Sequence, residues 1–245
     1  MSKYAIITGV SSGIGECIAN YFVEEGIYVF GIDKNETQNE KIEFFKCDIK
    51  DEDKIREIIK EISKKTSHIN YLINSAGIFC NTRRDLIQNL SKEEWQSVID
   101  VNLTGTFLIT KYSIPLLKKS TNGNIINLSS EQVVLPQIKS APYAITKAGI
   151  EMFSRILALE LMEFKIRVNT IALASVKTNF IKNYKKDEAI FEEMMKTTDK
   201  NMPFGIIEAY DVYKLVKYLI EEDNKITGQT ILIDSGVVLD VNKKK

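Results

Sequence analysis

The chain has one histidine, three cysteines and no excess charge: 33 Lys and Arg balance 33 Asp and Glu across 245 residues. Each scarcity removes a class of function. Zero formal net charge lacks the basic footprint of a protein that neutralises many phosphates, so no nucleic-acid partner is expected; the three lysines at 243–245 read as a solvated tail. Cys17, Cys47 and Cys80 are odd in number and far apart. They form neither a disulfide framework nor a metal-ligand spacing. His68 has no second ligand near it, so it reads as a surface residue rather than a ligand or base, and no metal is expected. There is no run of about 18 apolar residues, hence no expected membrane span. Met1-Ser2-Lys3 leads straight into an apolar run, which leaves no room for a signal peptide and points to a reducing cytoplasm.

What is present is an alternation of short apolar runs with helical periodicity, the pattern of an α/β fold with a parallel sheet and helices on both faces. Strands are expected at 4–8, 27–32, 42–45, 69–74, 124–128, 166–172 and 229–234. A helix from about Gly13 places Ile14, Ile18 and Phe22 on one face, and one over 51–65 does the same with Ile55, Ile58, Ile59 and Ile62. Ser91-Lys92-Glu93-Glu94 resembles a capping box opening a helix through Trp95, Ile99 and Leu103 towards Leu117. Ser140-Ala141-Pro142 opens another, reaching about Phe164, and a last helix is expected near 211–221. No linker rich in Pro, Gly or Ser and no repeat divides the chain, so 1–245 is expected to be a single domain. Within it, 178–205 is expected to form a helical flap over a site.

Thr8-Gly9-Val10-Ser11-Ser12-Gly13-Ile14-Gly15 follows a strand and opens a helix. Glycine there permits a tight turn and lets a pyrophosphate approach the backbone, with the helix N-terminus facing the anion. A bare turn is the alternative for the isolated motif. Asp33 ends the second strand, 20 residues after Gly13. A carboxylate at that place accepts hydrogen bonds from a ribose and repels the extra phosphate of NADP, which favours NAD; Lys34 beside it works the other way. Asp48, in Cys47-Asp48-Ile49, either contacts adenine or caps the next helix. Asn74-Ser75-Ala76-Gly77 either lets the chain pass close to a cofactor or is a plain turn.

Tyr143 and Lys147 lie four apart in an expected helix and share a face, and Ser130 ends the fifth strand 13 residues before Tyr143. An ammonium close to a phenol favours the phenolate, so Tyr143 can exchange a proton with a substrate near neutral pH. A serine hydroxyl can donate to a carbonyl oxygen as it gains negative charge. Ser129 competes with Ser130, and strand alternation lets only one face the site. Asn102 interrupts an otherwise regular helix. It is either part of a water relay or a solvent-facing polar residue. Val133, Val134, Leu135, Ile138, Phe79, Phe180 and Met202 either line an apolar pocket or pack the core; Lys182, Lys185 and Lys186 either meet an anion or form a solvated face.

Taken in order, the glycine loop, Asp33, Asn74-Ser75-Ala76-Gly77, Asn102, Ser130, Tyr143 and Lys147 resemble the short-chain dehydrogenase/reductase family, from Tyr4 to about Val238. The resemblance implies a Rossmann-type doubly wound sheet of about seven strands in the order 3-2-1-4-5-6-7. It also implies a small carbonyl or alcohol substrate and a homotetramer or homodimer. By match, Tyr143 is the acid/base, Lys147 holds the nicotinamide ribose, Ser130 the substrate oxygen, and Asn102 joins a proton relay. Gly9, Ser11, Ser12, Gly13, Ile14, Gly15, Asp33, Asp48, Ile49, Asn74, Ala76 and Gly77, with Tyr143, Lys147, Val176 and Thr178, are the expected cofactor contacts. The chain departs from the pattern at Leu173-Ala174, where the family has Pro-Gly, at Ser75, and at Asp234-Ser235-Gly236 in place of Asp-Gly-Gly. The expected reaction is hydride transfer between nicotinamide and a carbonyl or alcohol. An NADP-linked reductase of 3-oxoacyl thioesters and a non-catalytic cofactor-sensing protein are the alternatives.

Overall fold

The computed structural model describes residues 2–80, 84–178 and 188–239. Its main sheet has seven parallel strands: β1 (Tyr4–Thr8), β2 (Tyr28–Asp33), β3 (Glu43–Lys46), β4 (Tyr71–Asn74), β5 (Asn124–Ser130), β6 (Arg167–Leu173) and β9 (Thr230–Ile233). They are ordered β3-β2-β1-β4-β5-β6-β9, which is the expected doubly wound topology. Two short strands, β7 (Val176–Lys177) and β8 (Ile207–Glu208), pair separately. They bring the chain after β6 against the segment before the last helix.

Alternation along the strands divides the apolar side chains between two cores. Ala5, Ile7, Tyr71, Ile73, Ile126 and Leu128 face α1 (Gly13–Glu24) and α7 (Ala209–Ile220). Ile6, Leu72 and Ile125 face α2 (Glu52–Lys65), α4 (Thr106–Leu117) and α5 (Ala141–Glu160). On α2 the four expected isoleucines are all buried, each contributing roughly 1.5–3 kcal/mol as an upper bound. The helix is capped by Asp51, whose carboxylate accepts from Lys54 N at 3.0 Å.

The helix expected from Ser91 to Leu117 is not regular. Ser91 caps α3 (Lys92–Ile99) as expected, its hydroxyl accepting from Glu94 N. Residues Asp100–Gly105 then widen into a π turn before α4 begins. The wider turn releases the Asn102 carbonyl from the α-helical pattern, and the Thr106 hydroxyl donates to it at 2.8 Å. Within the expected 178–205 flap, helix α6 (Glu188–Asn201) is present, while Phe180, Lys182, Lys185 and Lys186 lie outside the described residues.

Candidate active site

The parallel strands of the main sheet end on one edge, where Thr8 leads into the glycine loop and Asp33, Asn74 and Ser130 end β2, β4 and β5. At its β1 side the edge is built from main chain. Gly9 has a positive φ, and a Cβ added to Gly15 would stand 2.2 Å from the Gly9 carbonyl oxygen. Neither position admits a side chain, which keeps the main chain close-packed where the helix N-terminus offers its first-turn N–H groups. Thr8 holds this turn to the loop after β4: its hydroxyl accepts from Ser75 N at 3.1 Å and Ala76 N at 3.0 Å. That role was not legible in the sequence, because Thr8 reads as an ordinary strand residue.

Asp33 turns back on the glycine loop. Its carboxylate accepts from Ser11 N at 3.1 Å and Asn35 N at 3.0 Å, fixing a negative charge at the end of β2. Ser12 occupies the N-cap position of α1 without a side-chain cap bond, and Ile14 packs partly into the core. Asp48 does not cap α2, since Asp51 does. It accepts instead from Lys50 N and pairs with the Lys50 ammonium. Ile49 is buried beside Gly105. Asn74 ends β4, its side chain donating to Asn127 Oδ1 at 2.7 Å and Thr110 Oγ1 at 3.1 Å in a buried polar ladder that continues from Asn127 to Ser154 and ties the sheet to α4 and α5.

The β5 side is built from side chains. Lys147 is buried and donates to Leu128 O at 2.9 Å, with its ammonium 5.5 Å from the Tyr143 ring centre. Burial pulls its pKa down to about 8. Phe79 packs edge-on against Tyr143 at 4.7 Å. Arg84 lies over Phe79 and donates to Ile138 O and Lys139 O, tying the loop after β4 to the loop after β5. Asn102, in the π turn, is buried and exchanges two hydrogen bonds with Ile78, both 2.8 Å, and donates to Thr146. Of the two alternatives for Asn102, the solvent-facing one is excluded. A Cβ on Gly77 would lie 3.2 Å from Asn102 Oδ1 and 3.8 Å from Lys147 Nζ, so these three residues meet.

Strand alternation separates the two serines. Ser129 turns to α5, its single hydroxyl hydrogen within reach of Glu151 Oε1 at 2.8 Å or Lys147 O at 3.2 Å. Ser130 turns the other way, donating to Glu131 Oε2 at 2.8 Å and accepting from Gln132 N. The loop without Pro-Gly still returns to the glycine loop: Ala174 N bonds to Ile233 O, Val176 pairs in β7, and Thr178 Cβ lies 3.3 Å from the position a Gly13 Cβ would take. Ser235, where the family has glycine, has φ 54°, a left-handed conformation that costs roughly 1–2 kcal/mol. Its hydroxyl offsets that strain by donating to Gly205 O and accepting from Phe204 N. Of the proposed pocket residues, Met202 belongs to the core, and Val134 and Ile138 are exposed.

The residues at this edge fit a dinucleotide: a helix N-terminus reached past glycines, a carboxylate at the end of β2, and a buried Tyr–Lys pair. Among the described residues no group of His, Cys, Asp or Glu is arranged to hold a metal ion, and no helix is long and apolar enough to cross a membrane. Residues 3–189 match the family model for short chain dehydrogenase. The chain is 30% identical to a 3-oxoacyl-(acyl-carrier-protein) reductase of Thermotoga maritima, covering 97% of this chain and 98% of that one. It is also 30% identical to a 2,3-dihydro-2,3-dihydroxybenzoate dehydrogenase of Bacillus subtilis, with 98% and 97% covered. Among solved structures, the ligand-free aldohexose dehydrogenase of Thermoplasma acidophilum superposes with a TM-score of 0.92 at 27% identity, covering 100% of this chain and 97% of that one. The chain belongs to the short-chain dehydrogenase family, and is an oxidoreductase that uses a nicotinamide cofactor to interconvert the carbonyl and alcohol forms of a small-molecule substrate.

Proposed function

We propose that the chain is an NAD-linked alcohol dehydrogenase or ketone reductase of the cytoplasm, in which Tyr143 moves the proton, Lys147 and Asn102 serve it, and Ser130 holds the substrate oxygen. The observation that carries this reading is the buried Lys147 ammonium beside the Tyr143 ring. Taken out of water, that charge acts strongly on a neighbouring phenol, favouring phenolate as long as the ammonium keeps its proton, below about pH 8. The nicotinamide, when bound, supplies or accepts the hydride. The chain's own part is to bind the ends of the dinucleotide, to orient the substrate oxygen and to give or take one proton at Tyr143 Oη. Gly9, Ser11, Ser12, Gly13, Ile14 and Gly15 would hold the pyrophosphate, and Asp33 the adenosine ribose. Asp48, Ile49, Asn74, Ala76 and Gly77 would flank the adenine and nicotinamide halves, with Val176 and Thr178 near the carboxamide. The fixed carboxylate of Asp33 supports NAD over NADP.

The same reading takes the chain as one domain in which residues 178–205 cover the substrate. It takes the assembly as a homodimer or homotetramer, which an exposed apolar stripe on α5 (Ile145, Met152, Ile156, Leu159) supports. An NADP-linked reductase of 3-oxoacyl thioesters is the second reading, favoured by the Thermotoga maritima relative.

Tyr143→Phe tests the acid/base. With the carbonyl or alcohol that the wild type turns over best, kcat should fall roughly 10²–10⁴-fold while the dissociation constant for NADH stays essentially unchanged. Near-full turnover by this variant would refute the assignment.

A further inference from the structure

Ser130 has one hydrogen to give, and in this structure it goes to a neighbour instead of the cleft. That neighbour, Glu131, is a buried carboxyl group in the short turn after β5. Its other oxygen is 3.5 Å from the Gln137 amide, and no cation pairs with it among the described residues. The Ser130 oxygen already accepts from Gln132 N. A serine oxygen accepts at two lone pairs and donates once. Two arrangements therefore satisfy the same 2.8 Å separation. If Glu131 is ionised, Ser130 must donate to it and has no hydrogen left for a substrate oxygen. If Glu131 carries the proton, it donates to the second lone pair of Ser130, and the serine hydrogen is free to turn into the cleft.

We propose that Glu131 is a positioning residue that sets the direction of the Ser130 hydroxyl, as a carboxylic acid releasing the serine hydrogen to the substrate oxygen and as a carboxylate capturing it. This deepens the carbonyl/alcohol reading of the site and rests on it for the identity of the oxygen served. Burial raises the Glu131 pKa above that of an exposed carboxyl, outweighing the lowering effect of the Ser130 and backbone hydrogen bonds, and Asp234, after β9, adds repulsion of like charge. The turn also packs on α5, whose titratable groups at this end are Tyr143 and Lys147; the Lys147 ammonium is bonded to Leu128 O. Asp234 is occupied by Gly236 N and Val238 N.

Glu131→Gln tests the proposal, because an amide donates to Ser130 at every pH. The readout is the ratio of kcat/KM for carbonyl reduction, variant over wild type. It should stay near one at low pH and climb roughly tenfold or more as pH rises through the Glu131 titration, where the wild type loses an oxyanion donor. In a Ser130→Ala background the same ratio should be flat. A ratio that is flat with Ser130 present, or that climbs without it, overturns the proposal. A second measurement needs no turnover: the infrared difference between wild type and Glu131→Gln should contain the carbonyl stretch of a protonated carboxylic acid that outlasts, as pH rises, that of the exposed glutamates and is then lost. That wild-type band should shift in Ser130→Ala, which removes the need for Glu131→Gln to fold. Absence of the band overturns the proposal whatever the activity. A band that behaves as described in a chain turning over no carbonyl or alcohol would support the proton on Glu131 while sinking the reading of the site as an enzyme.

Discussion

Around β1 and β2 the carboxyl edge of the sheet is made of main chain, with glycines that leave N–H groups bare and a carboxylate held by two backbone donors. Around β5 and α5 it is made of side chains withdrawn from water: Lys147, Asn102, Ser130 and Glu131 are all buried, each with named partners. The first half is selective by leaving space, the second by desolvating charge and hydrogen-bonding groups. The halves should therefore fail differently. Damage to the first half removes binding, and damage to the second removes proton handling while binding survives.

The largest effect is expected at Gly15. A Gly15→Val side chain would start 2.2 Å from a carbonyl oxygen, a collision with backbone that no rotamer relieves. The loss should be about 3 kcal/mol or more in stability, with NADH binding lost, both measurable by denaturant titration and fluorescence. A variant that binds NADH normally would break the comparison. Next is Asp33→Ser. Removing a charged acceptor should weaken NADH binding by roughly 10–100-fold, and the ratio of NADPH to NADH affinity should rise by more than that. Equal or better NADPH binding by the wild type would instead refute the preference for NAD.

The smallest effect is a slope. Lys147 titrates at about 8 when folded against 10.5 ordinarily, so between those values the unfolded chain holds more protons than the folded one. Stability of the cofactor-free wild type should then rise, relative to Lys147→Met, as pH increases from about 8 to 10.5; below 8 the cost of the buried ammonium is present in full. Parallel stability curves for the two proteins over that window would contradict the desolvation of Lys147.

The same contrast explains what could be read from the sequence. The glycine loop, Asp33 and the strands are local patterns, and the seven strands of the main sheet start and stop within one or two residues of expectation, while the two-residue strands β7 and β8 went unread. Tyr143, Lys147 and Ser130 were legible only as a combination, since each gains meaning from the edge that gathers them. What escaped depends on partners distant in the chain. Thr8 bonds 67 and 68 residues away. Asn74 and Asn127 form a ladder across 53 residues. Glu131 looks like any acidic turn residue until its burial is known. Choosing between Ser129 and Ser130 needed only the strand's alternation, plus knowledge of which side α5 covers.

The widened turn at Asp100–Gly105 has a consequence for any regular drawing of this stretch. A π turn holds one more residue than the α-helical pitch allows, so α4 is out of phase with α3 by about 100°. No single apolar stripe can be ruled through both. Removing one residue from this bulge would let the two helices fuse into a straight rod. The amide that grips Ile78 would then swing off its partners, even though every side chain named in the site remained in the chain.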